Sequence, residues 1–212
     1  MWEYRLIWPT SAPSWWEDAW ERGEVLFQQE NRKVEGRSDT YVVLHDRSDI
    51  GLKLRGGTES DFDLKVRHSR KDDWELWEKI TFFRWNDLEA RRFAAALQRD
   101  LPLDVVTSDS TPAAGVKKIL ASAGIEGLIR QVEKRRIQAR ADELLPKFVE
   151  AIHPSWLTEL AEFRTQKNGR VVRSSCLETM SPNAGAVPPE REGALCIGYP
   201  EFLIRDLNGE IE

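Results

Sequence analysis

Four runs of alternating apolar and polar residues lie close together in the chain and constrain its fold more than any other feature. An alternation with a period of two is typical of a β-strand that buries one face. The breaks between the runs are short, and short breaks join neighbouring antiparallel strands. The pattern therefore predicts an antiparallel meander, with strands at residues 40–45, 50–55, 62–67 and 74–83.

Further strands and helices are predicted around this meander. Strands are expected at residues 3–8, 157–165, 171–179 and 195–204. Helices are expected at about 15–28, 87–99 and 112–122. Ser14, Asn86 and Thr111 precede these helices as capping residues. Residues 125–145 stay ambiguous, because their composition favours a helix while a strand at about 128–138 is the alternative.

The connection at residues 101–112 is polar and is the clearest internal boundary. The segments 1–85 and 113–205 on either side of it both mix helices with strands, which suggests two similar halves. Pro and Gly are frequent in residues 181–193, and this composition predicts a loop.

Basic residues recur on one face of several predicted strands, since residues two apart in a strand share a face. The rows consist of Lys53 and Arg55, of Lys65 and Arg67, of Lys79, and, if 128–138 is a strand, of Arg130, Lys134 and Arg136. The whole chain has a formal net charge of −5, so these rows concentrate positive charge locally. The negative total excludes a dedicated DNA-binding protein, whose field must attract phosphate.

Two arrangements explain these basic rows. In the first, an antiparallel sheet buries its apolar face and exposes its basic face to solvent. In the second, the sheet curls into a barrel with the basic side inward, and so many buried like charges then require a polyanionic ligand. Both arrangements give the same alternation, so the pattern leaves the choice between them open.

Six short residue series follow one another in a definite order along the chain. They are Met1-Trp2-Glu3-Tyr4-Arg5, Asp39-Thr40-Tyr41, Gly51-Leu52-Lys53-Leu54-Arg55, Leu64-Lys65-Val66-Arg67, Ile119-Leu120 before Gly124-Ile125, and Lys134-Arg135-Arg136. This ordered series resembles the motifs of the triphosphate tunnel, or CYTH, superfamily. That family begins with a strand of the form Glu-x-Glu-x-Lys. Here Glu3 and Arg5 keep the second and third positions, and Met1 replaces the first glutamate.

The resemblance implies an α+β fold in which about eight antiparallel strands form a barrel, or tunnel, with helices packed outside. It implies a single domain over residues 1–212, built from two similar halves at about 1–100 and 112–207. Residues 125–145 would then form a strand. The implied function is binding of triphosphate or polyphosphate anions in the basic interior, with hydrolysis by a divalent metal as a further possibility.

The resemblance also assigns roles to individual residues. Glu3 and Arg5 would be catalytic, and the anion would be bound by Lys53, Arg55, Lys65, Arg67, Lys79, Lys134 and Arg136. Hard cations such as Mg²⁺ or Mn²⁺ prefer oxygen ligands, and they would be held by Glu3, Glu178 and either Glu159 or Glu162, whose register is open. Because Met1 replaces a glutamate to which the resemblance assigns a metal-ligand role, we expect low turnover.

A non-catalytic anion-binding or protein-interaction module is the alternative function. The chain has nine tryptophans, and three of them fall in the predicted N-terminal helix at Trp15, Trp16 and Trp20. These side chains would either cover one end of the core or form a surface for a protein partner.

Several classes of protein are excluded or disfavoured by what the sequence lacks. No apolar run approaches the roughly 18–20 residues that span a bilayer, so no membrane partner is expected. Cys176 and Cys196 are too few for a disulfide framework or a four-ligand zinc site. The first residues do not resemble a secretory signal, so a reducing, cytoplasmic compartment is expected. His45, His68 and His153 lack the spacing of metal ligands.

Overall fold

The computed structural model describes residues 1–55, 62–98, 101, 111–165, 169–182 and 191–211, and at Arg55 and Thr165 the backbone only. The Arg55 side chain, most of the connection at 101–112 and most of the loop at 181–193 therefore lie outside the described residues. Within the described ranges, no helix combines the length and the apolar character needed to cross a membrane.

Eight strands form one closed ring in which every neighbouring pair is antiparallel. They are β1 (Trp2–Trp8), β2 (Glu35–Leu44), β3 (Ile50–Arg55), β4 (Phe62–Lys71), β5 (Trp74–Phe82), β6 (Gly127–Arg140), β7 (Leu157–Thr165) and β8 (Val171–Thr179). Their order around the ring is β1-β5-β4-β3-β2-β6-β7-β8. The predicted meander from β2 to β5 and the predicted closed antiparallel architecture are both confirmed.

The described part of the chain also contains five α-helices. They are α1 (Ser14–Gln29), α2 (Asp87–Leu97), α3 (Pro112–Ser122), α4 (Ala141–Leu144) and α5 (Tyr199–Asn208). Asn86 and Thr111 cap α2 and α3, because each side-chain oxygen accepts an N–H from the first turn. The capping role predicted for Ser14 is wrong, since Ser14 is already the first helical residue and Pro13 occupies the N-cap position.

The ambiguous region at 125–145 forms the strand β6 rather than a helix. Ten residues of β6 pair with β2, and nine pair with β7. This pairing on both edges outweighs the helix-forming composition, because strand formation depends on the partners that the fold supplies. The same pairing explains why β2 begins at Glu35, five residues before the predicted start.

The strand predicted at residues 195–204 is wrong. Only Leu195 forms an isolated bridge, with Ile7, and α5 begins at Tyr199. Pro200 has no N–H to give to a ladder, but it is tolerated in the first turn of a helix. Phe202, Leu203 and Asp206 are buried at helical spacing. The alternation visible in the sequence is therefore one stripe of an amphipathic helix.

The helices cover the apolar outer faces of the ring. One outer core lies under α2 and α3, and its buried strand residues include Leu52, Leu54, Leu64 and Val66. The other lies under α1 and α4, and its strand residues include Tyr4, Leu6, Ile137 and Leu160. Because the apolar side of each strand faces outward against helices, the opposite side of each strand faces the interior of the ring.

The tryptophans of α1 belong to the second outer core. Trp15, Trp16 and Trp20 are 7%, 0% and 6% exposed, and the Trp16 indole N–H donates to the Ser174 carbonyl at 3.0 Å. The rings of Trp16 and Trp20 are stacked with centroids 5.1 Å apart. These side chains are core residues, so they leave no exposed tryptophan surface on α1 for a protein partner.

The helix α5 fills one end of the ring. There the inward residues of the strands are apolar, and they pack with Phe202 and Leu203 of α5 in an interior cluster that also contains Ile7, Tyr41, Val43, Val132, Phe163 and Val172. Gly51 permits the close approach of α5 to β3, because a Cβ at this position would lie 3.1 Å from Pro200 Cγ. The interior of the ring is therefore a cavity with α5 as its floor.

Candidate functional site

A cavity of about 680 Å³ occupies the interior of the ring above α5. Among the described side chains, seven cationic ones from six strands line it: Arg5 of β1, Arg37 of β2, Lys53 of β3, Lys65 of β4, Lys79 of β5, and Lys134 and Arg136 of β6. On β6 the alternation of side chains places two cations in the cavity. Lys134 and Arg136 face inward, while Arg135 between them faces outward and donates to Glu24 at 3.0 Å. Of the basic rows of the sequence, Lys53, Lys65, Lys79, Lys134 and Arg136 line the interior, whereas Arg67 and Arg130 do not.

A closed ring of eight antiparallel strands, with helices outside and cations inside, decides the fold. This is a tunnel-like α+β fold, a closed antiparallel ring around a charged interior. The expected tunnel architecture is confirmed by the chain's own topology and by the inward direction of its charged faces. What the tunnel of this particular chain binds depends on the arrangement of its individual side chains.

The tunnel brings together most of the residues that the sequence selected. Glu3, Arg5, Lys53, Lys65, Lys79, Lys134, Arg136, Glu159 and Glu178 all line it. Register decides between the two acidic candidates of β7, because Glu159 faces the tunnel while Glu162 lies on the outer face and accepts a hydrogen bond from Arg135 at 3.2 Å. Glu162 is therefore not placed to bind a ligand in the tunnel.

Arg67 is the described basic candidate that does not line the cavity. It follows Lys65 on the inward face of β4, but its guanidinium donates to Glu75 at 2.7 Å and to Glu201 of α5 at 3.4 Å. The strand also shifts register between Arg67 and Ser69. These contacts fix Arg67 beside the floor helix, where it anchors α5 to the wall.

Sequence reasoning missed several residues of the wall, and four of them matter for its charge and shape. Arg37, Tyr41, Asp63 and Tyr199 line the cavity although none was selected as a site residue. Arg37 was missed because the predicted start of β2 came too late, and extending the alternation backwards from Tyr41 finds it. Asp63 alternates with Lys65 and was visible on the same face. Tyr199 was missed because a strand was predicted at residues 195–204, whereas Tyr199 begins the helix α5.

The cations of the tunnel are paired with carboxylates of the wall. Glu159 accepts hydrogen bonds from Lys134 at 2.9 Å, from Arg5 at 3.1 Å and from Arg136 at 3.2 Å. Further pairs join Lys65 and Arg5 to Glu3, Arg37 and Lys53 to Asp39, Arg37 and Arg136 to Glu35, and Lys79 to Asp63. The wall therefore supplies counter-charges to its cations, so burial of these cations does not by itself require a polyanionic ligand.

These pairs set the protonation of the two most engaged carboxylates. Burial alone would raise the pKa of Glu159, but the charges of Lys134 and Arg5 outweigh it and hold that pKa well below its ordinary value of 4.5. Burial would also raise the pKa of Glu3, but the charges of Lys65 and Arg5 outweigh it and lower that pKa. Both groups are therefore ionised in the folded protein at neutral pH.

Glu178 behaves in the opposite way. It lies across the β1–β8 ladder from Glu3, and no ion pair or hydrogen bond joins its carboxylate to another described residue. Burial, followed by the negative charges of Glu3 and Glu159, raises the pKa of Glu178 above 4.5. An ionised Glu178 therefore destabilises the folded state.

We expect Glu178→Gln to stabilise the protein at neutral pH. The folded-state pKa of Glu178 is raised, so the folded state is penalised once the pH rises above the unfolded pKa of about 4.5. Thermal unfolding at pH 7 should give a higher midpoint for the variant, and the difference should disappear well below pH 4.5. An equal or lower midpoint at pH 7 would show that Glu178 has a partner that neutralises it.

The carboxylates of the tunnel, as they lie, do not form a metal site. Among the described residues, no three His, Cys, Asp or Glu side chains are grouped so that they could hold a metal ion. Glu3 and Glu159 are occupied by lysine and arginine, and only Glu178 is unpaired among the predicted ligands in the cavity. The arrangement is suited to binding anions through its cations rather than to holding Mg²⁺ or Mn²⁺.

Comparisons with known proteins give matches among solved structures alone. No family model and no curated protein matches the chain. The PH1012 protein from Pyrococcus horikoshii OT3 is 12% identical, with 94% of this chain and 98% of that chain covered and a TM-score of 0.47. A conserved hypothetical protein from Pyrococcus furiosus is 11% identical over 94% and 98%, with a TM-score of 0.45. HpAC1 from Hippeastrum, which has a dominant triphosphatase activity, is 12% identical over 99% and 85%, with a TM-score of 0.36.

Proposed function

We propose that the tunnel binds a short phosphate chain of the triphosphate or oligophosphate type. The observation that carries this proposal is the convergence of seven cations from six strands on one cavity of about 680 Å³. A cavity of this size suits a small molecule. Cations from six of the eight strands suit a ligand that carries several anionic oxygens, as a chain of tetrahedral phosphates does and a single carboxylate does not.

The mixture of arginine and lysine side chains in the cavity also suits a phosphate chain. Arginine offers a planar fork of N–H donors that matches two phosphate oxygens, while lysine acts as a compact point charge. Arg5, Arg37 and Arg136 supply the forks, and the lysines lie between them around the ring. Because the floor helix α5 fills one end of the ring, the cavity suits the end of a short chain better than a long polymer that passes through.

We expect a bound phosphate chain to replace wall carboxylates as the partner of some cavity cations, because these cations are already in ion pairs. The ion pair of Lys79 with Asp63 is 3.4 Å long, and the Lys79 side chain is 41% exposed. The Lys65 side chain is 34% exposed. These lysines are the ones that a phosphate chain recruits most easily, since a partly exposed pair is weak. The pairs of Glu159 are buried, and they hold the cation framework in place.

Hydrolysis of the bound chain is not part of this proposal. Phosphoanhydride cleavage in the manner that the tunnel resemblance implies needs carboxylates that hold a divalent cation. Here Glu3 and Glu159 are engaged by cavity cations. The triphosphatase activity named for HpAC1 is a property of that protein, and turnover by this chain is a separate outcome of the experiment below.

Tripolyphosphate is expected to raise the thermal midpoint of unfolding. A ligand that binds only the native state, present at a hundredfold excess over its Kd, stabilises by about 2.7 kcal/mol. For a chain of this length that corresponds to a rise of roughly 5–10 °C. The rise should shrink in high salt, since the attraction is ionic. An unchanged midpoint at millimolar tripolyphosphate and low salt would contradict the proposal.

The control for this titration is sulfate at matched ionic strength, which should give a smaller rise because it carries fewer oxygens. Phosphate release is measured in parallel with Mg²⁺, with Mn²⁺ and with EDTA. Binding without release supports an anion-binding module. Release that requires a metal and is lost in Glu3→Gln would show that the carboxylates rearrange around a cation in the complex.

A further inference from the structure

Tyr199 lies where the floor helix meets the cavity. It is the first residue of α5, and its side chain lines the cavity. Its hydroxyl forms a hydrogen bond with Ser174 Oγ at 2.8 Å, and its ring packs edge-to-face on Phe163 with centroids 5.3 Å apart. The ring is therefore held from two sides in one orientation.

The face of this ring lies against two cavity cations. The Arg5 Cζ atom is 4.2 Å from the ring centroid, and the Lys134 Nζ atom is 4.6 Å from it. The two cations are only 5% and 4% exposed. A desolvated cation over an aromatic face is attracted by the quadrupole of the ring. Tyr199 therefore acts on two of the seven lining cations at once.

Tyr199 and Glu159 restrain the same two cations by different means. Glu159 binds Arg5 and Lys134 through its charge, and that charge also repels an anionic ligand. Tyr199 attracts both cations with a neutral ring and adds no negative charge to the cavity. Ordering the cations before the ligand arrives lowers the entropic cost of binding.

We infer that Tyr199 is a positioning residue for the bound anion, and that its ring holds Arg5 and Lys134 at the floor of the cavity ready to contact a terminal phosphate. This inference rests on the proposed binding of a phosphate chain. It gives α5 a role in the affinity for the anion as well as in filling one end of the ring. The competing explanation is that Tyr199 serves only to pack α5.

The test replaces Tyr199 by rings of similar shape and decreasing electron density. Tyr199→Phe keeps the aromatic face and loses only the bond to Ser174, so its Kd for tripolyphosphate should stay within about twofold. A trifluorinated phenylalanine at the same position keeps the shape but removes most of the quadrupole, and its Kd should rise about tenfold. Calorimetric titration at low salt measures both, and a merely structural role would not produce this graded loss.

Phe202→Leu is the matched control on the same helix. Phe202 is fully buried in the floor cluster, and its ring packs on the ring of Phe163, 5.5 Å away between centroids. This variant should lower the thermal midpoint while leaving the Kd within about twofold, since ligand affinity depends on the cations and not on the far face of α5. All titrations are run well below the midpoint of each variant.

The outcomes separate the two proposals. A graded rise in Kd with fluorination, without a rise in Phe202→Leu, supports the positioning role. Equal Kd values across the ring series, or an equal loss in Phe202→Leu, would overturn it while leaving the proposed function intact. Absence of tripolyphosphate binding by the unmodified protein would overturn both.

Discussion

Glu159→Gln is expected to destabilise the protein by about 3–5 kcal/mol, the usual cost of removing one partner from a buried ion pair. The carboxylate is only 5% exposed and accepts hydrogen bonds from Arg5, Lys134 and Arg136. Glutamine keeps the shape and leaves these cations without their shared counter-charge. Urea unfolding at pH 7 measures the loss as a change in the free energy of unfolding.

The control for this change is Glu162→Gln on the same strand. Glu162 faces outward, is 20% exposed and pairs with Arg135 and Arg173 at the surface. Its loss should cost less than about 1 kcal/mol, because surface ion pairs contribute little. A Glu159→Gln variant that is as stable as Glu162→Gln would show that the cations of the tunnel do not depend on Glu159.

Acid should remove the difference between Glu159→Gln and the unmodified protein. The folded-state pKa of Glu159 is lowered well below 4.5, so its contribution is complete above the unfolded pKa. That contribution falls progressively as the pH drops below about 4.5 toward the folded pKa. The unmodified protein should therefore lose stability more steeply in acid than the variant, and parallel pH curves would contradict the assignment.

Lys134→Ala is expected to weaken tripolyphosphate binding by roughly 30-fold, about 2 kcal/mol, because it removes a buried cation from the ligand. Lys134 is 4% exposed and lies at the floor beside Tyr199. The variant leaves Glu159 paired with Arg5 and Arg136, so the fold is retained. Calorimetric titration at low salt measures the change in Kd.

Arg135→Ala is the matched control, because it removes the same charge one residue along β6. The Arg135 side chain is 54% exposed on the outer face, between Glu24 and Glu162. We expect its Kd to stay within about twofold, since an exposed charge at this distance is largely screened. Equal weakening by Lys134→Ala and Arg135→Ala would place the anion outside the tunnel.

Local sequence patterns predicted most strands but not the direction of their charged faces. The alternation of Leu52, Lys53 and Leu54 fits a solvated sheet and a closed ring equally well. Ring closure depends on pairings between distant segments, such as β1 with β8 and β2 with β6. No local pattern encodes these pairings, so the ordered motifs of the tunnel resemblance were needed to favour a closed ring.

The other features of the site could not be predicted from the sequence, because they depend on strand register and on the structure of the C-terminal segment. Glu159 and Glu162 are three residues apart and cannot share a strand face, but only pairing with β6 and β8 decides which of them is inward. The segment of Tyr199 looked like a strand because Leu195, Ile197 and Tyr199 alternate. Most of the carboxylate partners were likewise beyond the sequence, since pairs such as Lys65 with Glu3 and Arg5 with Glu159 join strands that are far apart in the chain.

The most direct test of anion binding in the tunnel is a crystal structure of the protein grown with tripolyphosphate at low salt. The account predicts a phosphate chain inside the ring, with a terminal phosphate near Lys134 and Arg5 and further oxygens on Lys65 and Lys79. Tripolyphosphate bound on the outer surface, or a tunnel whose ion pairs exclude it at saturating concentration, would contradict the account.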